Sequence, residues 1–101
     1  MAKTGLTTEA EISEAVVKIL KASKSGEAKL SALKKLIPTV IPLSNDDLAQ
    51  SDTRPNEPVW EQRLRNIKSH SQNEGNFIAE GYLTAPSRGV LRITPAGLKR
   101  P

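Results

Sequence analysis

In this 101-residue sequence, helix-patterned segments fill most of the chain before the one strong hairpin signal arrives. Two short β-type runs, residues 82–85 and 90–93, are joined by Pro86-Ser87-Arg88-Gly89. A lone two-stranded hairpin is marginal in water, so its apolar face must close on a core that the helices build. Leu83 on one run and Leu91 with Ile93 on the other can face that core, while Arg92 points outward. The expected class is therefore mainly α with a small β-hairpin (α+β), and the length suits one domain, residues 1–101.

The core has to be aliphatic. Aromatic residues make up only 3% of the chain, so Leu, Ile, Val and Ala must supply the buried surface. The absence of cysteine excludes disulfides, a thiol nucleophile and a Cys-based zinc site. No window approaches the roughly 18 apolar residues of a membrane span, and the first residues carry no apolar signal-peptide segment. A cytoplasmic protein is the expectation.

Helix signals follow one another along the chain. Thr8-x-x-Glu11 has the form of a capping box. Ile12, Ala15, Val16, Ile19 and Leu20 then recur at helical spacing. Acidic residues gather at the start and Lys18, Lys21 and Lys24 at the end, matching the helix dipole. This predicts a helix over about 8–23, with Gly26 as a stop. A second helix is expected over 27–37, with Leu30, Leu33, Leu36 and Ile37 as its stripe and Pro38 as its end. Ser44 caps a short helix over 45–50, and residues 50–58 form a polar, proline-marked loop. A fourth helix over 58–71 opens near Pro58 and carries Trp60, Leu64 and Ile67 on its apolar side. Residues 76–80 give a further helical turn that Gly81 stops. Thr94-Pro95 opens a last turn, cut short by Gly97.

Charge is unevenly placed. The formal net charge is +4, yet residues 1–50 are nearly balanced, with seven Lys against six acids. All six arginines lie in the second half, and residues 81–101 hold four cations and no acid. A one-sided basic segment is the footprint of a polyanionic partner. The face of helix 58–71 opposite Trp60 offers Gln62, Arg65, Asn66, Ser69 and then Asn73, with Arg63 and His70 on one flank and Lys68 on the other. An α-helix fits the DNA major groove. There Arg pairs with guanine edges and Asn or Gln with adenine edges. At the hairpin tip, Ser87 and Arg88, with Arg92 behind them, suit phosphates or a narrow minor groove. The bland alternative is a solvated helix face and an edge hairpin protected by charge.

Helices, then a polar-faced helix, then a hairpin is the plan of a winged helix-turn-helix. The residues that close it, Ser87-Arg88-Gly89-Val90 and Ile93-Thr94-Pro95-Ala96-Gly97, follow Trp60 and the apolar stretch 77–83. Together they resemble the winged-helix N-terminal domain of Mrr-like restriction endonucleases. The resemblance covers about residues 58–100. It implies a double-stranded DNA-recognition module, with methylated DNA among its candidate targets, linked to a nuclease domain. The insertion of residues 69–76 departs from the family pattern. The alternatives are a protein–protein interaction winged helix and a free-standing transcriptional regulator.

No catalysis, metal or cofactor is expected of this chain itself. His70 is the only histidine and has no cysteine to join it. Glu27-Ala28-Lys29 has the E-x-K form of a nuclease metal site, but metal-dependent cleavage needs several converging carboxylates. Asp46-Asp47 is better read as a helix start, and Trp60 as core.

Overall fold

The computed structural model describes residues 7–50 and 57–100. The elements run α1 (Glu9–Ala22), β1 (Glu27–Lys29), α2 (Leu30–Val40), α3 (Asn45–Leu48), α4 (Val59–Ser69), β2 (Leu83–Thr84), β3 (Val90–Ile93) and α5 (Pro95–Leu98). The strands form one antiparallel sheet in the order β1-β3-β2. The protein is thus α+β, helices packed on a small three-stranded sheet.

α1 is the hub. Thr8 closes the capping box, its hydroxyl accepting from Glu11 N–H while the Glu11 carboxylate accepts from Thr8 N–H. α2, α4, β3 and α5 all pack against this helix. Contact on so many sides widens its buried arc beyond a single stripe. Ile12, Ala15, Val16 and Leu20 are buried as their spacing predicts, and Ser13 and Val17 join them, whereas Ile19 is only half-buried. Fully burying one such aliphatic side chain is worth roughly 1.5–3 kcal/mol, so this helix anchors the fold.

The segment after α1 corrects the expectation of a helix from residue 27. Glu27–Lys29 is a strand, in register with β3 through Glu27↔Arg92, Ala28↔Leu91 and Lys29↔Val90. Gly26, at φ 72°, turns the chain into it, and its carbonyl accepts from Ile93 N–H at 2.8 Å. None of the three residues favours strand locally. The distant partner strand imposes the conformation. α2 then runs through Pro38 to Val40, beyond its expected end. A proline this close to the C-terminus forfeits one hydrogen bond, and Ile41 N–H still reaches Ile37 O at 3.1 Å. Leu33 and Ile37 are buried, but Leu36 lies off their line and is 43% exposed.

The third helix spans Asn45–Leu48 rather than 45–50, and Ser44 is its cap. Most of the proline-marked loop, with Arg54, lies outside the described residues, although Gln50 and Pro58 at its flanks form an antiparallel bridge. Trp60, Leu64 and Ile67 of α4 join the core. In the hairpin Leu83 pairs with Ile93, both buried along with Leu91, and Arg92 is exposed.

Gly97 does not cut α5 short. The helix continues through it to Leu98, capped by Thr94, whose hydroxyl accepts from Gly97 N–H at 3.0 Å. A Cβ at residue 97 would lie 2.7 Å from Ile93 Cγ1 and closer still to the Tyr82 carbonyl oxygen. The glycine is there for close approach of helix to hairpin.

Candidate nucleic-acid interface

α4 begins one residue after Pro58, and His70 caps it, so the helix is shorter than 58–71. Tight turns follow. Ser71 N–H donates to Lys68 O, Asn73 N–H to His70 O and Asn76 N–H to Asn73 O. The expected helix 76–80 is a single capped turn. Asn76 Oδ1 accepts from Ile78 and Ala79 N–H at 2.7 and 3.2 Å. At the other end Tyr82 N–H reaches Phe77 O and Gly81 N–H reaches Ile78 O, with Gly81 at φ 87°. This paired bonding is how a helical turn ends on a left-handed glycine.

The structure separates the polar residues of α4 into two sides. Arg63, Asn66 and His70 line a shallow cleft with Thr7, Thr8 and Glu9 at the start of α1. His70 Nδ1 lies 2.7 Å from Glu9 Oε1, and Asn76 Nδ2 donates to Glu9 Oε2 at 3.3 Å and to Ile67 O at 2.9 Å. His70 therefore holds the end of α4 to the start of α1. Arg65 and Lys68 lie on the other side. There they line a narrow cleft with Leu30, Leu64, Gly89, Val90 and Leu91, where the helix meets the base of the hairpin.

Arg65 is engaged on the protein. Its Nη2 donates to Glu57 Oε1 at 2.5 Å and its Nε to Glu57 Oε2 at 3.2 Å, a two-point fork. Glu61 takes Lys34 at 3.4 Å. The helix face is thus not free of acids, as its central residues alone suggest. Gln62, Arg63, Arg65 and Asn66 are half-buried, whereas Lys68, Ser69 and Asn73 are exposed.

At the hairpin tip, Val90 N–H donates to Ser87 O at 3.2 Å, and Gly89 has the positive φ, 73°, that a tight turn needs at its third residue. Ser87 and Arg88 are exposed. Arg92 sits on the outer face of the sheet, 4.0 Å from Glu27. Glu27 of the E-x-K segment thus pairs across strands with Arg92. Among the described residues, no group of three or more His, Cys, Asp or Glu is placed to hold a metal ion, and no helix is long and apolar enough to cross a membrane.

Two functional groups escape a linear reading. Asp47, fully buried, accepts from Thr7 N–H and Thr7 Oγ1, both at 2.6 Å, and from Ser44 N–H at 2.9 Å. Burial pushes its carboxyl up, but the hydrogen bonds from Thr7 and Ser44 outweigh it and hold the group below its ordinary value. Asp47 is a helix-start residue that also pins the strand of chain entering α1. Arg100, counted with the basic tail, lies 4.7 Å above the Phe77 ring and 4.5 Å above Tyr82, pairs with Glu14, and accepts at its carbonyl from Lys21 Nζ. No local pattern signals this clasp, because its partners lie on α1 and on residues 77–82, both far from Arg100 in the chain.

No protein-family model matches the chain, and no curated protein or solved structure matches it.

Proposed function

We propose that this chain is a winged-helix module that binds double-stranded DNA, with α4 as the helix presented to the duplex and residues 85–89 as the wing. The observation that carries the reading is the shared cleft between α4 and the hairpin base, where Arg65 and Lys68 come together with Gly89 and Val90, one residue from Arg88. Among the described residues Lys68 and Arg88 have no ion-pair partner, so both charges can go to phosphates. The element order, with the sheet ordered β1-β3-β2 and the hairpin following the polar helix, supports the same architecture. Lys68, Ser69 and the wing hold the backbone; Gln62 and Asn66 are the base-reading candidates on the helix.

The test is fluorescence anisotropy with a random duplex at low and high salt. Binding at low salt that weakens steeply as salt rises is expected; no binding at low salt would refute the reading. Recognition of modified DNA and linkage to a nuclease are the further steps that the resemblance suggests. A competition between methylated and unmethylated duplexes of one sequence tests the first.

A protein-docking winged helix is the second reading. A groove between α1 and the end of α2, with Ala15, Val17, Ala22, Val40 and Ile41 as its apolar lining and Glu14, Lys18 and Lys21 beside them, favours it. A duplex titration that moves no NMR signals of Lys68 and Arg88, with an amphipathic helical peptide that moves those of this groove, would favour docking over DNA binding.

A further inference from the structure

We infer that Glu57 is an internal stand-in for a nucleic-acid phosphate, occupying Arg65 until a duplex displaces it. The inference rests on the DNA-binding reading and deepens it. Arg65 is the one α4 arginine on the hairpin side, beside Lys68 in the cleft that Gly89 and Val90 close. Its guanidinium fork makes two parallel bonds to the Glu57 carboxylate, at 2.5 and 3.2 Å. Two oxygens of a phosphate fit the same fork. The pair is part-buried, with side-chain exposures of 27% and 14%, so water screens it only in part.

A duplex lying across the outer edges of helix and wing brings phosphates to the exposed Lys68 and Arg88, and Arg65 lines the narrow crevice between them beside Lys68. Arg65 then exchanges one anion for another without losing its hydrogen bonds, while Glu57 is left to solvent and repels the strand. Glu57 therefore lowers affinity for any duplex. Arg65 contributes to binding only after this exchange and does not stand ready to read a base.

Glu57→Gln removes the competing charge. It is expected to tighten binding to a random duplex about fivefold at moderate salt, the scale set by releasing one partly exposed ion pair. In an Arg65→Ala background the same change should alter affinity by less than about twofold, which is the generic effect of deleting one acid and is measured separately with Glu80→Gln. Equal gains with and without Arg65, or no gain at all, would overturn the role of Glu57. Circular dichroism establishes that each variant is folded. In the unmodified protein, the Nε–Hε NMR signal of Arg65 should move on saturation with duplex; a signal that stays in place leaves Arg65 on Glu57 and refutes the exchange. If neither the unmodified protein nor Glu57→Gln binds at low salt, the DNA-binding reading itself falls. If the unmodified protein binds but Glu57→Gln gains nothing, only the exchange falls.

Discussion

Arg88 and Arg100 belong to the same acid-free segment, yet the fold uses them in opposite ways. Arg88 stands exposed on a turn. Arg100 is drawn in, stacked over Phe77 and Tyr82 and paired with Glu14. The same division runs through the whole molecule. On the α1 side, Glu9 with His70, Asp47 with Thr7, and Arg100 with Glu14 join segments far apart in the chain. On the α4–hairpin side, the Lys68 and Arg88 side chains form no ion pair among the described residues. A basic segment is thus not equivalent to a basic surface. What decides is whether a carboxylate or ring from another element reaches the cation first.

Breaking the clasp side should cost stability and leave duplex binding intact. The largest effect is expected from Asp47→Ala, which strands the Thr7 and Ser44 donors and should lower stability by about 3 kcal/mol in urea denaturation. Because the folded-state carboxyl is held below its ordinary value, its contribution is complete above that value and is lost as pH falls through it and toward the folded value. Asp47→Asn should accordingly flatten the acid limb of the stability profile; an unchanged limb would show that the carboxylate is not what holds Thr7.

Gly97→Ala forces a methyl against the Tyr82 carbonyl and Ile93, atoms with little room to yield. A loss of about 2 kcal/mol is expected, read as a lower urea midpoint with an unchanged slope. Next comes Arg100→Ala, which removes the ring stacking and the ion pair. Its cost should be about 1–2 kcal/mol, with duplex affinity the same as in the unmodified protein. A matching loss of affinity would erase the distinction between the two arginines.

The smallest effect on stability, close to none, is expected from Arg88→Ala. It should instead weaken binding to all duplexes alike and reduce the slope of log K against log salt by about 0.9. Binding that becomes selective among sequences in this variant would move Arg88 from the backbone to a base.

Local patterns were enough for α1, the α3 start, the buried side of α4 and the hairpin, because each rests on spacing or on a cap within a few residues. Thr8 with Glu11, and Thr94 with Gly97, bond within a single turn. β1 was not visible, since Glu27–Lys29 takes its strand form from β3 and not from its own preferences. The helix boundary at Pro38 moved for a related reason. A proline costs little where few helical bonds remain to be lost.

The candidate site divides in the same manner. The sequence by itself determined a polar surface around the end of α4 and on the turn: Lys68, Ser69, Asn73, Ser87 and Arg88 are all exposed, whereas Gln62, Arg63, Arg65, Asn66 and His70 are half-buried. It also determined that the core would be aliphatic and that the hairpin would close on it. Only the tertiary structure decided which of the polar side chains stay available. It placed Glu57 within reach of Arg65, Glu9 beside His70, and Glu14 beside Arg100. Pairing of charges depends on distances of a few ångströms between segments that the chain order leaves far apart, and only packing sets those distances.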